Sequence, residues 1–424
     1  MKTKAVRLYG KNDLRLEEFE LPPLKDDEIL AHVISDSICM SSHKAALQGP
    51  EHKRVPKDIG RNPTIIGHEF AGTILEVGKK WKKSFKPGAK FSIQPALNYK
   101  GSMASPGYSY RYIGGDATYI IIPNEVMEMS CLLPYTGRGF FPASLAEPVS
   151  CIAGAFHASY HTEPGSYVHH MGIRPKGAMA LLAAAGPMGL GAVDWALHSG
   201  SANCPPRLLA VTDLDEERLA RARKYFPPER AAGIGVKLEF LNTRDLLDVP
   251  RALLELSKGQ GFDDVFVLAP VRQVVETADR ILARHGCLNF FAGPTDREFS
   301  ASVNFYNVHY NSTHLLGTTG GNNDDMVEAL ALMSEGRINP AVMVTHVGGL
   351  NAVVDTTLNL PQIPGGKKLI YTNIELELAA IADFRAEGRS EPLFRALAEI
   401  VDRHGGLWSV EAEEYLLANA RPIG

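Results

Sequence analysis

Residues Leu182–Gly191 read LAAAGPMGLG and lie where an apolar run, Ala178–Ala184, passes into a helical pattern, Gly189–His198. A dinucleotide fold needs small residues at such a strand-to-helix turn, because the backbone must turn tightly, approach a pyrophosphate and let the helix lie close to the strand. Gly186 and Gly189 take the second and third positions of a GxGxxG turn, with Pro187 and Met188 between them, and Ala184 stands at the first. A glycine-rich turn alone is weak support. It gains from a second strand, Arg207–Thr212, that runs into Asp213, a carboxylate placed to accept hydrogen bonds from an adenosine ribose. The spacing slightly exceeds the usual ~20 residues, and a loop at Ser199–Pro206 absorbs the surplus. Arg218, in the following helical pattern, completes a cofactor-binding set of Gly186, Pro187, Met188, Gly189, Asp213 and Arg218. The acid should repel a 2′-phosphate, so NAD(H) is expected over NADP(H). The bland alternative is tight helix-on-strand packing beside a solvated aspartate.

Outward from this turn, apolar strands alternate with amphipathic helices: helix Glu216–Tyr225, strand Asp264–Leu268, helix Val274–Ala283, and strands Cys287–Phe291 and His314–Gly317. That alternation predicts an α/β fold, a doubly wound parallel sheet of Rossmann type over residues 156–321. Before it, residues 1–155 carry short β-branched runs bounded by turns, at Lys4–Leu8, Ile29–Ser35, Ile74–Val77, Lys90–Ile93 and Ala117–Pro123, the pattern of a mostly β domain. Residues 322–371 should return to that domain, through a strand at Val342–Val347, a helix at Leu350–Asn359 and a strand at Lys367–Tyr371. Residues 372–424 form a C-terminal extension. There Leu393, Phe394, Leu397, Ile400 and Val401 recur at helical spacing behind Ser390, a candidate N-cap.

Composition narrows the function classes. Of 424 residues, 45% are hydrophobic and 22% charged, a globular balance sufficient for two or three domains. The net charge of −4 gives no global reason to expect nucleic acid or an anionic membrane as partner. The basic stretches Glu51–Lys57 and Lys79–Lys86 read as solvated turns. The longest apolar stretches, Gly177–Val193 and Ile338–Val354, are broken by Gly or Pro and fall short of the ~20 residues that a bilayer span requires. The start, MKTKAVRLYG, has no apolar signal-peptide core, so a cytoplasmic location is expected. Five scattered cysteines, without a CxxC pair, argue against a disulfide framework. Cys131, Cys151, Cys204 and Cys287 read as small buried hydrophobes.

The fifth cysteine belongs to a second constellation. In GHEFAGTILEVG, Gly67–Gly78, His68 offers an imidazole beside the carboxylate of Glu69. Two residues cannot close a tetrahedral metal site. Cys39, in a turn after the Ile29–Ser35 strand, and Glu147, in SLAEPVS, are candidates for the rest. Thiolate, imidazole and carboxylate with one open position make a catalytic rather than a structural zinc arrangement. Taken singly, each could equally be a core thiol, a buried histidine or a helix N-terminal carboxylate.

This layout resembles the zinc-dependent medium-chain dehydrogenases, in particular their sorbitol and polyol-phosphate branch. Cys39–Ser41 match the family's Cys-x-Ser/Thr, Gly67–Gly72 its GHExxG, Glu147–Pro148 its Glu-Pro and Gly186–Gly189 its GxGPxG turn. The likeness also runs through CMSSHKAA, QPALNY, YIGGDATYIIIPNEVM and NVHYNSTHLLGTTGG, and covers nearly the whole chain. It implies a GroES-like catalytic domain, one catalytic zinc on Cys39, His68 and Glu147 with Glu69 as an alternating or water-mediated ligand, and NAD(H) as hydride carrier. Ser41 would move the proton. The reaction implied is reduction of a ketose phosphate to a polyol phosphate, L-sorbose 1-phosphate to D-glucitol 6-phosphate. Oxidation of a free polyol or secondary alcohol is the first alternative, and a non-catalytic dinucleotide sensor the second. The family commonly assembles as a homodimer or homotetramer through the last strand of the nucleotide domain, here His314–Thr318.

Three departures accompany the likeness. The four closely spaced cysteines of the family's structural zinc have no counterpart between Phe91 and Gly115; position 42 is Ser where many relatives carry Asp; and His43 stands one residue before the usual relay position, which Lys44 fills. A substrate phosphate needs a cation, for which Lys44 and Arg111 are candidates. Asn98 and Tyr99 are candidate contacts for sugar hydroxyls.

Overall fold

The computed structural model describes residues 1–200 and 205–424; Cys204 and part of the Ser199–Pro206 loop lie outside them. The chain forms two compact units, Val149–Met343 on one side and Met1–Pro148 with Val344–Gly424 on the other.

In the first unit the strands lie in the order Lys237–Asn242, Leu208–Asp213, Ala178–Leu182, Phe262–Val267, Leu282–Phe290, His314–Gly317, every neighbouring pair parallel. All five residues of Ala178–Leu182 are buried, as a central strand covered on both faces requires. Strand order reverses between Ala178–Leu182 and Phe262–Val267, which opens a crevice at the carboxyl ends of the strands. The strand Lys237–Asn242 escapes the sequence pattern because it is an edge: Leu238 alone is buried, Lys237 is exposed and the other four are half-buried. Gly186 caps the helix Pro187–His198, with proline in its first turn, where a missing N–H costs nothing. A Cβ on Gly189 would fall 1.9 Å from the Ala184 carbonyl oxygen, so this helix and strand approach as only glycine allows.

The second unit joins both ends of the chain. Lys367–Tyr371 pairs antiparallel with Ile29–Ile38 and parallel with Val344–Gly349, while Ile29–Ile38 pairs with Phe70–Val77, which continues through Lys90–Ile93 to Leu132–Tyr135. Ile29, Ala31, Val33, Phe70, Ile74, Phe91 and Ile120 fill the core of this sheet. The strand expected at Val342–Val347 begins later, at Val344, because Pro340–Met343 forms a 3-10 turn.

The C-terminal extension carries two longer helices, Pro392–Arg403 and Val410–Asn419, after a short one at Phe384–Glu387. Leu397, Ile400 and Val401 are buried as the spacing predicts. Ser390 is not the N-cap. Glu391 takes that position and Pro392 starts the helix, while the Ser390 hydroxyl donates to the Glu387 carbonyl at 3.2 Å. Cys131 and Cys287 are buried, whereas Cys151 is only half-buried. No helix among the described residues is long and apolar enough to cross a membrane.

Candidate metal centre and dinucleotide cleft

Donor atoms of Cys39, His68 and Glu69 lie within 4.8 Å of one another. The local chain explains each position. Cys39 ends the strand Ile29–Ile38 and begins the helix Met40–Gln48, and the glycine of GHE, Gly67, has φ +87°, a left-handed turn that delivers His68 and Glu69 to the interior. Gly107 crosses behind them: a Cβ there would sit 2.1 Å from the Gly67 carbonyl oxygen and 2.9 Å from the His68 Cβ.

The surroundings favour a neutral imidazole and a fixed ring. Burial drives the pKa of His68 down to about 4, leaving it uncharged as a metal ligand must be. Its Nδ1 is 3.3 Å from the Ser42 hydroxyl, so the serine at position 42 supplies the orienting contact. Its Nε2 is 3.3 Å from the hydroxyl of Tyr108. The Cys39 thiol is pushed up to about 12 by burial, against the opposing charge of Lys367; a bound cation reverses such a shift, because a coordinating thiol is deprotonated. A thiolate, an imidazole and a carboxylate suit zinc.

Glu69 is not isolated. Lys367 Nζ donates to its two carboxylate oxygens at 2.5 and 2.6 Å, both side chains buried. Burial alone would lower the lysine pKa, but the Glu69 carboxylate outweighs it and the net shift is upward. The neighbouring Asp36 and Asp116 carboxyls are pushed up by burial, Asp116 to about 8.

Other residues singled out in the sequence take varied places. Glu147 opens the helix Ala146–Ala158, half-buried, and lies outside the three-residue donor group. Its charge nonetheless reaches Cys39, Tyr108 and Lys367. Ser41 Oγ is 3.7 Å from Cys39 Sγ. His43 Nδ1 is 2.9 Å from the Thr357 carbonyl oxygen, a structural contact. Lys44, on the same helix, is half-buried. Arg111 is exposed, its guanidinium 5.4 Å over the ring of Tyr112. Asn98 is exposed in a left-handed turn, and the hydroxyl of Tyr99 donates to Glu128 at 3.1 Å. Among the basic stretches, Lys80 pairs with Glu128 at the surface, but Arg54 departs from a solvated turn and lies over the buried ring of Tyr108. Tyr108, Lys367 and Arg54 were not legible as site residues, whereas Ser42 stood out as a departure from the family's Asp. Only the glycine and proline punctuation of SPGYSYRYIGG hinted that the chain bends sharply at Tyr108.

A cavity of about 530 Å3 opens in the Val149–Met343 unit, and Gly186, Pro187, Met188, Gly189, Asp213 and Arg218 all line it. One Asp213 carboxylate oxygen accepts from the backbone N–H of Ala185 at 3.0 Å, the other from Leu214 and Asp215 at 2.8 and 3.1 Å. The acid therefore locks the turn to the second strand and still has acceptor capacity toward the cavity. The helix Pro187–His198 starts at the cavity wall, where its dipole favours an anionic group. These residues could hold a dinucleotide.

Residues 25–130 match the alcohol dehydrogenase GroES-like domain, and residues 187–335 match the zinc-binding dehydrogenase domain. The chain is 51% identical over 421 residues to L-sorbose 1-phosphate reductase of Klebsiella pneumoniae, covering 99% of this chain and 98% of that one. It is 50% identical over 415 residues to mannitol-1-phosphate 5-dehydrogenase of Aliivibrio fischeri, covering 98% and 97%. Its fold is that of 2R,3R-butanediol dehydrogenase from Bacillus subtilis, with a TM-score of 0.70 at 20% identity over 88% of this chain and all of that one.

Proposed function

The chain belongs to the zinc-binding dehydrogenase family, and on that premise we propose that it moves hydride between NAD(H) and a ketose phosphate or polyol phosphate, with L-sorbose 1-phosphate reduced to D-glucitol 6-phosphate. The observation that carries this reading is the convergence of Cys39, His68 and Glu69 in a chain half identical to two enzymes of phosphorylated hexitols and ketoses. Zinc, when bound, supplies a Lewis acid for the reacting oxygen, and the nicotinamide supplies or takes the hydride.

The protein's own residues do the rest. Cys39, His68 and Glu69 would hold the metal, and the charge of Glu147 bears on Cys39. Ser42, at Nδ1, and Tyr108, at Nε2, fix the His68 ring. Lys367 balances the charge of Glu69 and keeps it oriented. Ser41 and Tyr108 each present a hydroxyl beside the donor atoms, and a hydroxyl can donate and accept in one step, which proton transfer to or from an alkoxide requires. Asp213 takes the adenosine ribose and disfavours a 2′-phosphate, so NADH is the preferred reductant.

The test follows NADH and NADPH oxidation with L-sorbose 1-phosphate, D-fructose 6-phosphate and unphosphorylated L-sorbose, alongside metal analysis. Turnover with NADH, the phosphorylated ketoses preferred and zinc retained, is the expected result. Equal use of L-sorbose would overturn the substrate class, and equal use of NADPH the reading of Asp213.

A further inference from the structure

The segment between the helix Ala146–Ala158 and the strand Ala178–Leu182 falls outside the alternation of strands and helices that the sequence shows. It folds into a small hairpin, Tyr160–His161 paired antiparallel with His170–Met171, with His170 opposite His161. One buried carboxylate fastens the segment to the sheet. Asp264 Oδ1 accepts from His161 Nε2 at 3.1 Å, and Oδ2 accepts from the backbone N–H of Arg174 at 2.8 Å. His161 Nδ1 donates to the His285 carbonyl oxygen at 3.0 Å. Both ring nitrogens of His161 thus face acceptors, so the ring carries both protons and forms an ion pair with Asp264. The parallel register sets Met179, Asp264, Cys287 and His314 side by side near the amino ends of their strands. The dinucleotide turn leaves the strand Ala178–Leu182 at the opposite, carboxyl end.

A cavity of about 590 Å3 opens against this segment, its lining including His161, Glu163, His169, His170, Met171 and Arg174. Arg174 is half-buried, and its guanidinium makes no ion pair with any described residue. Glu163, exposed in the same lining, likewise pairs with no described cation. The His285 ring, whose Nδ1 is 3.0 Å from the Thr162 hydroxyl, keeps a buried Nε2 with no hydrogen-bond partner among the described residues. The charges of Arg174 and Glu163 both reach that ring. These groups do not suit a metal ion: both nitrogens of His161 are protonated, and the guanidinium opposes a cation. An unengaged guanidinium instead offers two parallel N–H groups to a phosphate. A carboxylate beside it would repel an anion that filled the whole cavity, but it accepts hydrogen bonds from hydroxyl groups, and an imidazole can donate or accept. The combination selects a ligand that is anionic at one end and hydroxylated at the other.

We propose that this cavity binds a phosphorylated sugar or polyol, with Arg174 taking the phosphate and Glu163 and His170 the hydroxyls, at a site separate from the dinucleotide cleft. It stands apart from the reaction proposed above, since none of its residues belongs to the metal centre or lines the dinucleotide cavity.

The test uses the full-length protein isotopically labelled at its methionine methyl groups and read by NMR, because Met171 lines this cavity and Met188 the dinucleotide cavity. Met171→Leu and Met188→Leu variants assign the two signals. D-glucitol 6-phosphate, inorganic phosphate and D-glucitol are titrated in turn. The ester should shift the Met171 signal saturably and more tightly than inorganic phosphate, and D-glucitol should leave it unmoved. Arg174→Gln should raise the Kd of the ester by about tenfold or more, with partial rescue in Arg174→Lys, while the Met188 signal keeps its wild-type position. Glu163→Gln should weaken the ester without weakening inorganic phosphate. A Met171 signal indifferent to the ester, or an ester affinity unchanged in Arg174→Gln, overturns the site. So does a displaced Met188 signal in Arg174→Gln, which would mark Arg174 as a support of the fold. Inorganic phosphate or D-glucitol binding as tightly as the ester, or an ester affinity unchanged in Glu163→Gln, overturns the assignment to a sugar or polyol phosphate.

Discussion

Glu69 sits against a single ammonium group, and the two are more than bystanders to the metal. A carboxylate this deeply buried needs a compensating charge, and Lys367 reaches both of its oxygens. Replacing Lys367 with Met keeps the volume and removes the cation. Breaking a buried pair from one side costs about 3–5 kcal/mol, so Lys367→Met should unfold at markedly lower urea and retain less zinc through dialysis. Unchanged stability would mean that Glu69 is compensated from elsewhere. The pair also shows what could be read at this scale. Cys39, His68 and Glu69 stand in local motifs whose spacing is itself the signal, whereas Lys367 lies 298 residues from Glu69 in a strand, KKLIY, that reads as ordinary β-structure. Arg54 was misread for the same reason: a basic turn looks solvated until the fold places Tyr108 beneath it.

At the scale of elements, the C-terminal extension reaches back into the catalytic unit through Glu413. This side chain, 1% exposed, accepts from the backbone N–H groups of Phe140 and Phe141 at 2.5 and 2.7 Å and from the Tyr371 hydroxyl at 2.9 Å. It thereby caps the short helix Phe141–Ser144, just ahead of Glu147, and ties it to the strand that carries Lys367. Gly139 has no side chain to obstruct it: a Cβ there would lie 2.8 Å from Glu413 Oε1. Burial raises the Glu413 pKa from 4.5 to about 7. The folded state therefore binds this proton more tightly than the unfolded one. The resulting stabilisation is complete below the unfolded value and is lost as pH rises through about 7. Glu413→Ala should lower stability by about 3 kcal/mol, since three donors lose their acceptor, and should flatten the decline between pH 5 and pH 8 seen with the wild type in urea titrations. A variant with the wild-type slope would show that another group titrates. The tail helix was legible from the spacing of Leu397, Ile400 and Val401; its tether was not, because a glutamate in a helix normally reads as solvated.

For the whole molecule, the remaining question is what covers the far edge of the parallel sheet. Among the described residues the terminal strand His314–Gly317 pairs on one side only, with Leu282–Phe290, and Leu315 is 43% exposed upon it. The preceding helix Phe305–Tyr310 exposes Phe305, Tyr306 and Tyr310, and the Tyr160 ring, in the two-residue strand Tyr160–His161, stacks on His314 at 4.6 Å. A free strand edge among exposed aromatic side chains is a site for pairing, and natural proteins blunt such edges with charge unless a partner covers them. None of the four edge residues, HLLG, is a lysine, acid or proline. The expected partner is a second copy, its own edge strand paired about a two-fold axis, because an isologous contact closes after one pairing and leaves no further edge. Sedimentation of the wild type should report a dimer or a dimer of dimers, and Leu315→Lys should shift it toward monomer while leaving NADH binding intact, since Leu315 does not line the dinucleotide cavity. A wild type that sediments as a monomer at micromolar concentration would leave the edge covered by something other than this chain, and an unchanged oligomer in Leu315→Lys would place the interface elsewhere.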